Sequence, residues 1–511
     1  MSESKTYAKI KTLDELEKII ARLKKAGKKV ALCHGVFDLL HPGHIKHFEA
    51  ARREGDILVV TVTEDRYVGK GPGRPVFNQR LRAETIAELE CADYVAINRW
   101  PTAVETIRKL KPDVYVKGSD YAEREKDLTG EIYQEEEAVR EGGGRIHFTD
   151  EITFSSTELL NVHFSVYHPE ADEYLRAFRK KHTAEAVIAM LKNLKKMKVL
   201  VVGDAIVDEY HYCRPMGKAW KETVITTRYL NRESFAGGVL AAANHVAGFC
   251  DDVHLVTCLG KENSQEEFIR AHLQPNISTQ FFYRPDAPTV VKRRYVDPAF
   301  LSKIFEVCFL NDQDPPPDVQ EAVCRWLEKR CPEYDLVIAA DFGNGFISRK
   351  MVETLCGSAK FLAVNTQTNS ANSGFNLITK YPRADYVCVD EPEIRLALSN
   401  RSADLKDLIL DIAGKMNAPC VTVTRGHNGS VDYTVKGGFA ETPVFSKEVV
   451  DRIGAGDAYL AVTSPCVAAG YPNDVVGFIG NAVGALAVRI VCNRESVAPV
   501  ALYKFISALL K

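Results

Sequence analysis

Two hydrophobic signatures alternate along most of this chain: short unbroken apolar runs, and stripes of apolar residues at helical spacing. The first stripe, Leu13, Leu16, Ile20 and Leu23, starts at a capping box, Thr12-Leu-Asp-Glu15, and stops at Gly27. The run over 29–33 then predicts a strand. Further strands are predicted over 57–63, 94–97, 113–117 and 145–148, with helices over 43–54, 79–90, 103–110 and 131–140 between them. Such alternation predicts an α/β fold, a parallel sheet with helices on both faces. Residues 169–197 break the rhythm, being charged and mostly helical, with Arg179-Lys-Lys-His182 among them, and they read as a linker. A second buried-strand run, Lys198-Val-Leu-Val-Val-Gly-Asp204, restarts the alternation. The expected organisation is two doubly wound, Rossmann-like domains, 1–168 and 198–511, with no internal repeat.

Composition narrows the function classes. A chain of 511 residues exceeds what one hydrophobic core sustains. The formal net charge of -2 calls for no polyanionic partner, so nucleic acid is not expected. Thirteen cysteines without a C-x-x-C pair argue against a disulfide framework and structural zinc, and point to a reducing, cytoplasmic setting. The polar N-terminus and the lack of a run of about 18 apolar residues predict neither a secretion signal nor a membrane span.

The candidate chemistry lies at strand ends. His41-Pro-Gly-His44 follows the first strand and opens a helix, where backbone N–H groups attract anions. Lys70-Gly-Pro-Gly-Arg74 forms a basic, glycine-rich loop after the second strand, Arg80 begins the next helix, and Lys117 closes the fourth strand. Ser156-Thr157 sets hydroxyls at a further helix start, a second anion cradle. Far downstream, Gly454-Ala455-Gly456-Asp457 leads into an apolar helix: an anion hole beside a base, suited to phosphoryl transfer to a hydroxyl.

The ordered set Gly35-x-Phe37-Asp38, His41-x-Gly-His44, Arg74, Arg80, Cys91-x-Asp93, Lys117-Gly-x-Asp-Tyr121 and Ser156-Thr157 resembles the H-x-G-H nucleotidyltransferases. Within them it is most similar to the adenylyltransferase half of the bifunctional heptose-phosphate kinase/adenylyltransferases. The resemblance implies that a sugar 1-phosphate oxygen attacks the α-phosphorus of a nucleoside triphosphate, with His41 and His44 catalytic. Gly35, Phe37, Lys70, Arg74, Arg80, Lys117, Ser156 and Thr157 would hold the nucleotide. Class I tRNA synthetases share the histidine signature, but their lysine-rich catalytic loop and anticodon-binding region are missing from this sequence. An arginine-led loop usual in cytidylyltransferases is also missing before Ser155, which leans toward ATP and leaves CTP or GTP open.

From about Lys198 onward, Asp208, Gly237-Gly238, Asn244, Lys292, Asp341-Phe-Gly-Asn-Gly345, Thr424 to Gly429 and Gly454 to Asp457 resemble a ribokinase-type sugar kinase with a small β lid near Val224–Leu230. The resemblance implies Asp457 as base and Gly454, Ala455 and Gly456 as the anion hole. It places Asp208, Gly238 and Asn244 on the sugar, Thr424, Gly426 and Gly429 beside the adenine nucleotide, and Mg²⁺ at Asp390 and Glu393. Three segments depart from the family pattern: Asp390-Glu-Pro-Glu393, Arg452-Ile453 and Asn365-Thr-Gln367. The resemblance further implies a homodimer through the lid and a heptose-like sugar, although the domain order, the reverse of the resembled enzyme's, leaves open whether that sugar is the usual heptose. A substrate that already bears a terminal phosphate would need a separate sugar-bisphosphate phosphatase between the two steps. Two alternatives stay open: an active transferase with a ligand-sensing or dimerising pseudokinase, and a polyol-phosphate cytidylyltransferase.

Overall fold

The computed structural model describes residues 5–68, 74–118, 131–149, 168–370, 372–446 and 448–511. The chain divides into two compact units, residues 1–172 with 503–511, and residues 173–502.

Among the described residues of the first unit, β1 (Val30–Gly35), β2 (Ile57–Thr63), β3 (Tyr94–Asn98), β4 (Val114–Gly118) and β5 (Arg145–Thr149) form a parallel sheet in the order β3-β2-β1-β4-β5. Successive strand residues feed opposite cores, the period-2 alternation of a sheet covered on both faces. Ala31, Cys33, Leu58, Val60, Val95 and Val116 pack with Phe48, Ala83 and Ile86 on one side. Val30, Leu32, Val59, Ala96 and Tyr115 pack with Leu13, Leu16, Ile20, Ile107 and Leu110 on the other. The strand order reverses between β1 and β4, and the crevice outside their carboxyl ends is where open α/β sheets take ligands.

The second unit carries two sheets. The larger contains β6 (Lys198–Gly203), β9 (Asp252–Gly260), β10 (Ile277–Arg284), β13 (Leu336–Asp341), β14 (Leu362–Thr366), β15 (Tyr386–Asp390), β16 (Cys420–Thr424), β17 (Ser430–Thr434) and β18 (Gly438–Thr442). Their order is β10-β9-β6-β13-β14-β15-β16-β17-β18, with every pairing parallel except the last two. The smaller sheet, β12-β11-β7-β8, joins β7 (Ala205–Lys218), β8 (Ile225–Gly238), β11 (Val290–Asp297) and β12 (Ser302–Phe309). It accounts for the lid predicted near residue 224.

Most of the stretch expected as a linker is built into the second unit. The helix Pro169–Arg179 carries Tyr174, whose hydroxyl lies 3.3 Å from the Thr442 hydroxyl, and Phe178, whose ring stacks on Phe478 at 4.3 Å. His182 lies 3.1 Å from Asp474, and the next helix, Ala184–Asn193, buries Val187, Ile188 and Leu191. The charges face outward while one aromatic stripe docks.

Candidate functional site

In the first unit β1 delivers the chain to a tight turn. Phe37 adopts φ 49°, and a Cβ on Gly35 would sit 2.8 Å from the Phe37 ring, so glycine is what lets that ring fold back. The ring meets His44 edge-on at 5.5 Å and Phe48 at 4.9 Å. His41 is the extended residue that caps the helix Pro42–Arg53, and its ring stacks on His44 with centroids 3.9 Å apart. Two imidazoles thus stand together at a helix N-terminus, on the strand beside the topological switch.

Buried charges brace this turn. Asp38 accepts the Phe77 N–H at 3.1 Å and lies 3.5 Å from the Arg74 guanidinium, both side chains at most 2% exposed. Lys117 is ion-paired with Glu135 at 2.8 Å. Burial, helped by the Lys117 charge, holds His34 down to about 3 and His47 down to about 4, so both are neutral imidazoles. Their ring nitrogens bond Thr61 and Thr149 at 3.0 and 2.9 Å.

Arg80 is not brought to this cluster. Its side chain is 75% exposed and pairs with Glu84 one turn along. The buried arginine of that helix is Arg82, which sequence reasoning missed. Its guanidinium donates to the carbonyls of Val36, Thr63 and Phe77 and to Asp65, tying the β1 turn to the end of β2. Lys70, Ser156 and Thr157 lie outside the described residues.

In the second unit Asp204, Asp341, Asp390 and Thr424 follow or end β6, β13, β15 and β16, so they share one edge of the parallel sheet. Asp457 stands in the first turn of the helix Ala455–Ala468, which begins at Gly454 with φ 86°. Burial, then the charge of Asp208, pushes its carboxyl up to about 7, while Lys292 pulls against them. A carboxylate this ready to take a proton near neutrality has the property a general base needs. Asp208 is buried and ion-paired with Arg294, and a Cβ on Gly237 would lie 1.9 Å from its Oδ2. Gly238 turns the chain with φ 59° into the helix Val239–Ala247.

The loop before Gly454 is anchored to the smaller sheet. The buried Asp451 carboxylate accepts from Lys303 of β12 at 2.6 Å, from the Tyr210 hydroxyl of β7 at 2.7 Å, and from the Ile453 and Cys492 amides at 3.2 Å each. Burial alone would raise this carboxyl; the bonds from Lys303 and Tyr210 hold it below the usual range.

Asn244 is held by backbone on both sides. Its Nδ2 donates to the His272 carbonyl and its Oδ1 accepts the Gln274 amide, both at 2.9 Å, so its amide is spent on holding backbone. It borders a cavity of about 560 Å³ that Phe235, Asn493 and Arg494 also line. Thr424 pairs with Asp390 across the β15–β16 ladder. The turn from Gly426 to Gly429 closes with the Arg425 N–H on the Gly429 carbonyl at 2.7 Å, and a Cβ on Gly429 would meet the Thr442 carbonyl at 1.9 Å.

Asp390 and Glu393 form a reciprocal capping box at the start of the helix Glu391–Ala397. Glu393 also accepts the Thr368 amide at 2.9 Å. Burial and then Asp390 push the Glu393 carboxyl up to about 8, with a further contribution from Asp457. Among the described residues no group of three or more His, Cys, Asp or Glu is arranged to hold a metal ion. Mg²⁺ characteristically keeps several waters and takes one or two carboxylates plus substrate phosphates; the repulsion between Asp390 and Glu393 that raises the Glu393 carboxyl is what a bound cation would relieve, so the pair fits it.

Comparison with known proteins agrees with both halves. Residues 32–162 match the family described as Cytidylyltransferase-like, and residues 196–491 match the pfkB family of carbohydrate kinases. A bifunctional protein HldE of Aliarcobacter butzleri is 42% identical over 138 residues, 27% of this chain and 29% of that protein. One from Geobacter metallireducens is 40% identical over 173 residues, 33% of each. The chain thus spans about a third or less of the length of these curated relatives. A ribokinase from Thermotoga maritima superimposes with a TM-score of 0.48 at 17% identity, covering 60% of this chain and 98% of that one. The pfkB match takes in more than half of the sequence, with the cytidylyltransferase-like region ahead of it: the chain belongs to the pfkB family of carbohydrate kinases.

Proposed function

We propose that this chain is a bifunctional enzyme of nucleotide-activated sugar synthesis, a heptose-like sugar kinase joined to a sugar 1-phosphate nucleotidyltransferase. One observation carries the reading. The chain holds two helix N-termini of the kind that bind anions, each flanked by its own proton-handling groups: His41 and His44 in the first unit, Asp457 in the second.

In the kinase, Asp457 takes the proton of a sugar hydroxyl, the freed oxygen attacks the γ-phosphorus of ATP, and the bond to the ADP oxygen breaks. The backbone of Gly454 to Gly456 receives the charge of the migrating group. Asp390 and Glu393 would hold Mg²⁺, which when bound draws charge from the transferring phosphate. Asp208 and Gly238 would orient the sugar, and the turn from Thr424 to Gly429 would border the nucleotide. In the transferase, a sugar 1-phosphate oxygen attacks the α-phosphorus of the nucleoside triphosphate and pyrophosphate leaves. His41 and His44 donate to the oxygens on which charge grows, and Lys70, Arg74, Lys117, Ser156 and Thr157 are assigned to the triphosphate. ATP is the assigned nucleotide, a separate phosphatase is assigned between the steps if the sugar carries a terminal phosphate, and a homodimer completes the proposal.

His44→Ala should abolish nucleotide-sugar formation and spare ADP release, while Asp457→Ala should do the reverse. Phosphorus NMR with ATP, CTP or GTP and sugar 7-phosphates and 1-phosphates reads both at once. Both activities persisting in either variant would sink the assignment. A second reading, a sugar-sensing pseudokinase, draws support from Asn365, whose amide donates to the Cys388 carbonyl at 2.7 Å. Sugar binding without ADP release would favour it.

A further inference from the structure

Lys292 lies on β11, the lid strand that runs beside β7, and in that ladder it is the partner of Asp208. It is only 6% exposed. Apart from Asp457, whose raised carboxyl holds its proton up to about 7, the charges around it are already matched. Asp208 pairs with Arg294, Arg294 also with Glu306 at 2.6 Å, Glu209 with Arg293 at 2.6 Å, and Asp451 with Lys303 at 2.6 Å. Among the described residues, no carboxylate comes within ion-pair distance of the Lys292 ammonium and no acceptor takes its hydrogen bonds. A cation this deep without a protein anion is unfavourable, and the imbalance is relieved when a ligand brings the anion.

Its surroundings say where that anion arrives. Asp457 feels the Lys292 charge directly, and Asp208, its ladder partner, fills the space left by the missing Cβ of Gly237. Lys292 therefore belongs to the space between the lid and the anion hole of Gly454 to Gly456. Neither helix N-terminus nor lysine alone would define a site; Asp457, in the first turn of that helix, lies close enough to Lys292 to feel its charge, which brings the two together at one place.

We infer that Lys292 is a catalytic residue that receives a phosphate group in the kinase site, supplied either by the nucleotide as its γ-phosphoryl group or by the sugar as a substituent it already carries. The inference rests on the kinase reading above. The test uses the full chain and three proteins, wild type, Lys292→Met and Lys292→Arg, with heptose 7-phosphate and unphosphorylated heptose as acceptors. If the γ-phosphoryl group is the partner, Lys292→Met loses at least about tenfold in kcat with both sugars at unchanged sugar KM. If the sugar phosphate is the partner, KM for heptose 7-phosphate rises at least about tenfold and turnover of the plain sugar is unaffected. In either case Lys292→Arg restores part of the loss. Nucleotide-sugar formation by the same chain and an unchanged melting profile certify that the variants are folded. Wild-type kinetics in Lys292→Met overturn the inference. Should the wild type release no ADP with any sugar, the kinase reading fails first, and calorimetry with ATP and with heptose 7-phosphate decides the rest. Weaker binding of either by Lys292→Met upholds the phosphate role; equal binding, or none by the wild type, overturns it.

Discussion

Replacing Asp457 by asparagine should make the protein more stable above neutral pH while removing kinase turnover. The carboxyl ionises near 7 in the fold against a reference of 3.8, because burial and the Asp208 charge disfavour its anion. A group whose folded value is raised holds its proton more tightly when folded. Stability is therefore greatest below 3.8, falls as pH rises, and levels off above about 7. Each tenfold change in proton affinity is about 1.4 kcal/mol, which sets the ceiling on the loss near 4 kcal/mol. The side chain keeps some solvent contact, and screening reduces this to roughly 1–2 kcal/mol. Asparagine keeps the shape and carries no charge, so the penalty disappears. At about 2 °C per kcal/mol for a unit this large, Asp457→Asn should melt roughly 2–4 °C above wild type at pH 8. By pH 5 the gap should shrink to under about half. Scanning calorimetry of the full chain between pH 5 and pH 8 measures it. A gap that does not change with pH, or a variant less stable at pH 8, refutes the claim that its surroundings disfavour the ionised carboxyl.

Arg82→Met should destabilise the first unit by roughly 3–5 kcal/mol, because it strands three carbonyls and Asp65 around a buried guanidinium. Urea unfolding followed by a probe in that unit measures it, and a loss under about 1 kcal/mol contradicts the bracing role. Gly237→Ala places a methyl 1.9 Å from the Asp208 carboxylate and must displace it from Arg294. ADP release should fall at least about tenfold with nucleotide-sugar formation intact. Equal loss of both activities would show that the methyl acts on folding and not on the proposed sugar site.

How much of this was legible beforehand depends on whether a signal was local. The capping box at Thr12, the buried runs of β1 and β6, the helix start at Pro42-Gly43 and the glycine turn at Gly454 are short-range patterns, and the fold honours them. Arg80 and Arg82 show where residue type misleads: both are basic on one helix, yet Arg82, Ala83 and Ile86 share the buried face and Arg80 does not. Helical phase, not charge, held the answer. Asp390-x-x-Glu393 is itself a capping-box pattern, readable as a helix start as well as a metal site, and the structure uses it in the first way whatever else it does. In 169–197 the abundance of charge hid Tyr174, Phe178 and His182, spaced one helical turn apart, which dock onto the second unit. The ties from Lys303 and Tyr210 to Asp451, and the isolation of Lys292, are long-range and left no local trace.

Asn493 has a consequence for how this sequence can diverge. A Cβ on Gly454 would fall 2.1 Å from its Oδ1, and one on Gly237 would fall 3.5 Å from its Nδ2 and 1.9 Å from Asp208. Four positions scattered along the chain therefore share one small volume. Enlarging 454 forces the side chain at 493 to move or shrink, and enlarging 237 forces the carboxylate at 208 from its place. Drift at these sites should proceed by paired exchanges, so close descendants should either keep the whole quartet or change it together.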